Sequence, residues 1–151
     1  MNRRQFFLDT LDGFAFEDLC ADIYRSIGYR VEQTQYVADE GRDLILTDKF
    51  GSVIVAECKH YPNRTVGRPI VQRLHSAVLS YPAKQGLIIT TGSFTQTARD
   101  YASNLQEPIE LVDGTELAAM ASQVGIDLLG GGETGIVLAV QPTTRTDLET
   151  R

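Results

Sequence analysis

Residues 41–59 read GRDLILTDKFGSVIVAECK, and this stretch decides the fold. Two apolar runs, at positions 44–46 and 53–56, flank the polar segment TDKFGS, a pattern typical of a β-hairpin. Because both runs are apolar at consecutive positions, we expect other elements to cover both faces of these strands. The stretch therefore predicts a buried hairpin that carries charge only where its apolar runs stop.

Three charged residues mark those stops: Asp43 enters the first strand, and Glu57 and Lys59 leave the second. Side chains alternate along a strand, so Glu57 and Lys59 share a face and Cys58 points the other way. If the loop spans 48–52, Asp43 and Glu57 are directly opposed, with Cβ atoms about 4.5–5.5 Å apart, where like charges repel. A hard divalent cation with oxygen ligands would offset that repulsion. The hairpin alone also fits a surface hairpin with a turn aspartate and a Glu/Lys pair.

Composition limits the class of protein. The 151 residues are 42% hydrophobic and 23% charged, which is typical of a single globular domain. No apolar run approaches the ~20 residues of a membrane span, and the N-terminus lacks a secretion signal, so no membrane partner is expected. Two isolated cysteines, Cys20 and Cys58, favour free buried thiols and a cytoplasmic location, and their spacing does not suggest a zinc site.

Net charge is the weaker guide. A value of −6 argues against a protein that coats nucleic acid by global attraction. Three arginines that follow the hairpin, Arg64, Arg68 and Arg73, nevertheless predict a local basic rim beside the acidic site.

Hydrophobic periodicity predicts alternating elements around the hairpin. Helices are expected over 12–27, from 69 to about 81, over 94–105 and from 113 to about 124; further strands are expected over 29–37, 86–91 and 109–112. Alternating strands and helices imply parallel pairing in the second half of the chain, whereas the first three strands are antiparallel neighbours. The predicted fold is α/β, a mixed β-sheet flanked by helices on both faces.

The C-terminal residues differ in character from the rest. We expect a domain over 1–126, followed over 127–151 by a Gly-rich hinge at 130–132, a candidate edge strand at 136–140 and a polar tail.

Six sequence words follow one another along the chain: FEDLCADIYRSIGYRVE, GRDLIL, VIVAECKHY, TVGRPIVQRLHSAV, GLIITTGSFTQTARDYA and IELVDGTELAAM. In this order they resemble the Mrr-like (type IV, methylation-dependent) restriction endonuclease catalytic domain of the PD-(D/E)xK nuclease superfamily. The resemblance implies the restriction-endonuclease-like fold, Mg²⁺-dependent cleavage of DNA phosphodiesters (with Mn²⁺ as a substitute) and a homodimer. Many Mrr relatives, however, carry Gln where this chain has Glu57. Family members also often carry a DNA-reading winged helix ahead of the nuclease, where this chain has about eleven residues.

The predicted chemistry is metal-assisted hydrolysis of a phosphodiester. Asp43 and Glu57 are the expected ligands of Mg²⁺, with the backbone carbonyl of Cys58 as a further oxygen ligand. Lys59 is expected to orient the attacking water or to stabilise charge on the phosphate.

Five further residues have two interpretations each. Glu17 matches the family's helix-one acid, which would bind a metal-bound water or a second ion, but a first-turn acid favoured by the helix dipole explains it as well. Gln72 would face the site from the next helix, or would be a solvated helix residue. Arg68, with Arg64 and Arg73, would contact DNA phosphate, or would be a solvated arginine.

Two competing functions remain open at this stage. A Holliday-junction resolvase, or a repair nuclease such as a RecB-like exonuclease, would share the sheet and the metal site. A non-catalytic DNA-binding or scaffold subunit is disfavoured because Asp43, Glu57 and Lys59 are all intact. The acidic charge and the short N-terminal segment favour a separate targeting subunit or domain.

Overall fold

The structure is a computed structural model that describes residues 3–34, 42–80 and 85–128, with the backbone alone at positions 3, 5, 6, 42 and 43. Twelve elements follow in chain order: α1 (Arg3–Thr10), α2 (Gly13–Ile27), β1 (Arg30–Gln33), β2 (Arg42–Thr47), β3 (Val53–Lys59), β4 (Thr65–Val66), α3 (Arg68–Ser80), β5 (Gln85–Thr90), β6 (Ser93–Phe94), α4 (Gln96–Ser103), β7 (Ile109–Val112) and α5 (Gly114–Gln123). The hinge, edge strand and polar tail expected after residue 128 lie outside the described residues, as does the end of the strand expected over 29–37.

The main sheet confirms the predicted mixed topology. Its strand order is β1-β2-β3-β5-β7. The pairs β1–β2 and β2–β3 are antiparallel, whereas β3–β5 and β5–β7 are parallel. Strand β3 is central and buried from Ile54 to Lys59, because both of its edges are paired and helices cover both faces.

Two apolar cores lie on opposite faces of the sheet, as strand alternation requires. The first joins α1, α2 and α5 to the strand residues Leu44, Leu46, Ala56 and Cys58. The second joins α3 and α4 to Val55 and Ile88. Cys20 and Cys58 are both free and buried in the first core, which confirms that prediction. No helix among the described residues combines the length and the apolar character that crossing a bilayer requires.

The hairpin loop takes the predicted length because of one side chain. A carboxylate oxygen of Asp48 accepts hydrogen bonds from the backbone N–H groups of Phe50 (2.8 Å) and Ser52 (2.9 Å). Gly51 adopts φ +88°, a left-handed conformation that glycine tolerates best. The turn therefore spans 48–52, and its closure sets Thr47 opposite Val53.

The region before α4 differs from the prediction. Phe94 was expected in a helix, but Ser93 and Phe94 form β6, which pairs in parallel with β4. The helix begins two residues later, where Oγ1 of the N-cap residue Thr95 accepts a hydrogen bond from the Ala98 N–H at 3.1 Å. The close approach of Gly92 to the backbone oxygens of Tyr61 and Arg64 brings these segments together, a contact that periodicity cannot reveal. Helix α1 was also not predicted.

Candidate active site

The hairpin register places the two proposed metal ligands opposite each other. Asp43 and Glu57 are Cα partners across β2 and β3, which confirms the spacing inferred from the five-residue loop. Both strands are neighbours in the interior of the sheet, with β1 and β5 outside them. The pairing of the two acidic residues is therefore fixed by the backbone hydrogen bonds of the sheet and not by the conformation of a loop.

Glu57 and Lys59 form a buried ion pair. The Nζ of Lys59 lies 3.1 Å from Oε2 of Glu57, and their side chains are 3% and 7% exposed, respectively. The ammonium also lies 5.7 Å from the centroid of the Tyr61 ring. Charges are rarely buried to this degree unless they are paired, because desolvation penalises them. The pair is therefore a candidate site for chemistry in addition to its place in the fold.

Contacts from β5 hold the end of β3 in place. The Thr91 N–H donates to the backbone oxygen of Lys59 at 3.2 Å. Thr91 Oγ1 in turn accepts a hydrogen bond from the Tyr61 N–H at 2.8 Å. Because Thr91 binds the backbone of both Lys59 and Tyr61, these two contacts fix the path of the chain at the end of β3. Thr91 therefore contacts the chain beyond β3.

Arg73 reaches the same carboxylate from another element. Its Nη2 lies 2.9 Å from Oε2 of Glu57, the atom that also faces Lys59. Arg73 belongs to α3, which packs on the face of the sheet that carries Val55. Unlike Lys59, its side chain is 51% exposed. The sequence placed Arg73 in a DNA-binding rim, but it did not predict this contact with Glu57.

Glu17 is buried, with 4% of its surface exposed, which corrects one of its two interpretations. Helix α2 begins at Gly13 and has no acidic residue in its first turn, so the dipole explanation is wrong. The buried face of α2 is wider than its strictly apolar positions, because Glu17 and Ala21 are buried together with Leu19. Helix α2 packs on the face of the sheet that carries Ala56 and Cys58, whereas Glu57 points to the other face, so the role of Glu17 at the site remains a prediction.

The remaining predicted residues lie on the surface around α3. Gln72 is exposed on that helix. The guanidinium of Arg68 lies 4.9 Å from the Tyr101 ring centroid, and that of Arg64 lies 4.0 Å from the Tyr61 ring centroid. Both arginines therefore stack on aromatic rings while remaining exposed, which fixes the directions of two cations near the site.

His75 connects α3 to the segment that precedes β7. Its Nε2 lies 2.9 Å from Oε1 of Glu107, in the segment before β7. This hydrogen bond lowers the pKa of Glu107. The contact agrees with a structural role for His75.

A cavity of about 700 Å³ opens beyond the carboxyl ends of the parallel strands, next to the end of β3. Its lining includes Arg64, Thr91, Ser93 and Asp113. The sequence did not predict this cavity, although strand ends that meet at one edge of a sheet commonly form such openings.

The donor set suits a hard cation. Within the described part of the chain no three His, Cys, Asp or Glu side chains form a metal cluster, and the side chain of Asp43 is not among those described. Two acidic residues at opposed strand positions and a backbone carbonyl would nevertheless suffice for Mg²⁺, which keeps several waters and binds through one or two carboxylates. Strand β3 thus carries oxygen ligands of the right kind beside an ammonium.

Comparison with known proteins connects this arrangement to a family. The profile of the restriction endonuclease family Mrr_cat matches residues 8–121. The chain belongs to the Mrr-type restriction endonuclease family. It is 33% identical over 120 residues to the type IV methyl-directed restriction enzyme EcoKMrr of Escherichia coli strain K12. That match covers 74% of this chain and 39% of the E. coli enzyme, so the two share less than half of the larger protein.

Solved structures confirm the fold. The DNA modification-dependent restriction endonuclease AspBHI superposes with a TM-score of 0.63 at 22% identity, over 95% of this chain and 38% of that one. A repair endonuclease from Pyrococcus abyssi superposes with a TM-score of 0.50 at 18% identity, over 68% of this chain and 46% of that one. The mixed sheet flanked by helices is therefore the restriction-endonuclease fold, as predicted. Restriction endonucleases generally use divalent metal ions.

Proposed function

We propose that this protein is a Mg²⁺-dependent DNA endonuclease that hydrolyses phosphodiester bonds in restriction of foreign DNA. The observation that carries the proposal is the register of Asp43 opposite Glu57, with the Lys59 ammonium 3.1 Å from the Glu57 carboxylate. Membership of the Mrr-type family supports the same function.

Each site residue has a proposed part in the reaction. Asp43, Glu57 and the Cys58 carbonyl would hold Mg²⁺, which when bound supplies a Lewis acid for the phosphate. Lys59, which is buried and held toward Glu57, would hold the attacking water or donate to a phosphate oxygen as negative charge builds there. The water oxygen would form a bond to phosphorus as the bond from phosphorus to the bridging oxygen breaks; the attacking water gives up a proton to solvent, and the leaving oxygen takes one up from solvent.

Surrounding residues would position the DNA. Arg64 and Arg68, exposed and stacked on aromatic rings, would contact phosphates on either side of the cleaved bond. Glu17 would bind a metal-bound water or a second ion, and Gln72 would face the site from α3. We further propose a homodimer in the cytoplasm, with DNA targeting supplied by a separate subunit or domain.

The decisive experiment measures cleavage of methylated, unmethylated and branched DNA in Mg²⁺ or Mn²⁺. Wild type should cleave, and Asp43→Asn and Lys59→Met should lose at least ~100-fold in rate, the scale expected when a group that stabilises transition-state charge is lost. Lys49→Met is the matched control, because it removes the same charge at the exposed tip of the hairpin.

The outcomes separate the competing functions. Equal cleavage by wild type and both site variants would refute the assignment, and cleavage by none would favour a binding or scaffold subunit. A strong preference for branched over linear duplexes would identify a resolvase.

A further inference from the structure

The Glu57 carboxylate faces two cations in the structure, and the two differ in how firmly they are held. Lys59 and Arg73 both approach Oε2, at 3.1 Å and 2.9 Å. Lys59 is enclosed, with 3% of its side chain exposed, whereas Arg73 is 51% exposed. Arg73 already has half of its side chain in water, so moving it off the carboxylate changes its hydration little, whereas moving Lys59 would require opening the fold. Arg73 is therefore the partner that can exchange.

Charge explains why such an exchange matters. Asp43 and Glu57 bring two negative charges to neighbouring strand positions, and Lys59 and Arg73 bring two positive charges. Without a metal, these four side chains have no net charge. While Arg73 remains beside Glu57, they therefore attract a divalent cation only weakly. If Arg73 leaves, the remaining three groups carry one net negative charge, and Glu57 Oε2 loses a competing donor.

DNA offers Arg73 an alternative partner. Arginine binds phosphate through a planar fork of N–H donors, as it binds a carboxylate. Arg73 lies on α3, the helix that begins at Arg68, so its exposed side chain belongs to the same helix as a proposed phosphate contact. A phosphate near the site would therefore draw Arg73 off Glu57 and leave the carboxylate for the metal.

We propose that Arg73 is an exchangeable counter-ion that occupies Glu57 in the metal-free protein and moves to a DNA phosphate when the metal binds. The proposal rests on the proposed function and deepens it, because it makes metal binding and DNA binding support each other. Without DNA, Arg73 competes with the metal for Glu57; with DNA, that competition is relieved. Coupling of this kind is reciprocal, so each ligand raises the affinity for the other by the same factor. Arg73 is here a positioning residue that acts through Glu57.

The test measures Mn²⁺ binding by electron paramagnetic resonance, first without DNA. Arg73→Met should bind Mn²⁺ about 3- to 10-fold more tightly than wild type, the change that corresponds to loss of a partly exposed competing ion pair. Arg73→Lys retains the charge and should stay close to wild type. Arg25→Met is the matched control, because Arg25 is an exposed arginine of α2 that pairs with Asp22, and its affinity should not change.

The second readout is DNA binding in Ca²⁺, taken as a non-cleaving substitute. Arg73→Met should lower the slope of log affinity against log salt by about one phosphate contact, and it should reduce the factor by which DNA tightens metal binding. A purely structural ion pair would instead lower the stability of the variant and leave both measurements unchanged. Circular dichroism confirms that each variant is folded.

The results distinguish this proposal from the proposed function. Glu57→Gln should weaken Mn²⁺ binding in every background; if wild type binds no Mn²⁺ with or without DNA, both proposals fail. If wild type binds Mn²⁺ through Glu57 but Arg73→Met binds it no more tightly, the exchange is refuted and the nuclease assignment stands.

Discussion

The buried pair of Glu57 and Lys59 predicts a specific pattern in the free energy of unfolding. Removing one partner of a buried ion pair costs about 3–5 kcal/mol, because the other charge is left desolvated. Glu57→Gln keeps an amide oxygen for Lys59, so we expect the lower end, about 3 kcal/mol. Lys59→Met should cost less, about 1–2 kcal/mol, because Glu57 keeps its 2.9 Å contact with Arg73.

The double variant distinguishes a charge effect from a packing effect. Glu57→Gln with Lys59→Met removes both buried charges and leaves Arg73 half exposed in water, so its stability should return to within about 1 kcal/mol of wild type. The coupling between the two positions is then about 3–5 kcal/mol, far above the ~0.5 kcal/mol limit for independent sites. None of the three variants should cleave DNA.

Urea denaturation at neutral pH with a chelator, followed by circular dichroism, measures these differences. The slopes with denaturant must agree among the proteins for the midpoints to report stability. If the destabilisation of the double variant equals the sum of the destabilisations of the two single variants, the two charges do not depend on each other. The reasoning from burial is then wrong. If the double variant is stable but inactive, the ion pair is retained for chemistry and not for stability.

Three further substitutions test the fold. Gly92→Ala should cost about 1–3 kcal/mol, because its Cβ would meet the backbone oxygen of Arg64, and a melting temperature equal to wild type would contradict that close approach. Asp113→Ala should cost about 1 kcal/mol in urea denaturation, since Asp113 is both donor and acceptor in the capping box of α5; an unchanged midpoint would count against the cap. Glu107→Gln should be less stable than wild type at neutral pH. Because His75 lowers the pKa of Glu107 below its ordinary 4.5, the difference should persist above that pH and disappear as the pH falls through the lowered pKa; a difference independent of pH would contradict this.

Local patterns in the sequence predicted most of the elements. The apolar runs around TDKFGS predicted β2 and β3, and the loop length predicted the partnership of Asp43 with Glu57. Helix α2 with its stop at Gly28, strand β7 and the start of α5 at Asp113 were also predicted. These features depend on side-chain alternation, helical periodicity and caps, which act over a few residues and are therefore readable in the chain.

The same rules fail where a feature depends on distant segments. The β4–β6 pair has two residues in each strand, too few for any periodic signal, and it forms because Gly92 allows close backbone approach. Burial of Glu17 depends on how α2 lies on the sheet, which the helix's own pattern did not reveal.

The strand register, the two acids that oppose each other and the lysine two residues beyond Glu57 all follow from local sequence patterns. The contact between Arg73 of α3 and Glu57 of β3, sixteen residues earlier in the chain, arises from packing alone. Alternation along a strand sets which side chains share a face, but the helix returns over that face through a connection whose packing no local rule specifies. The charged residues of the site can therefore be recognised in the sequence, whereas the contacts between them depend on how the fold packs.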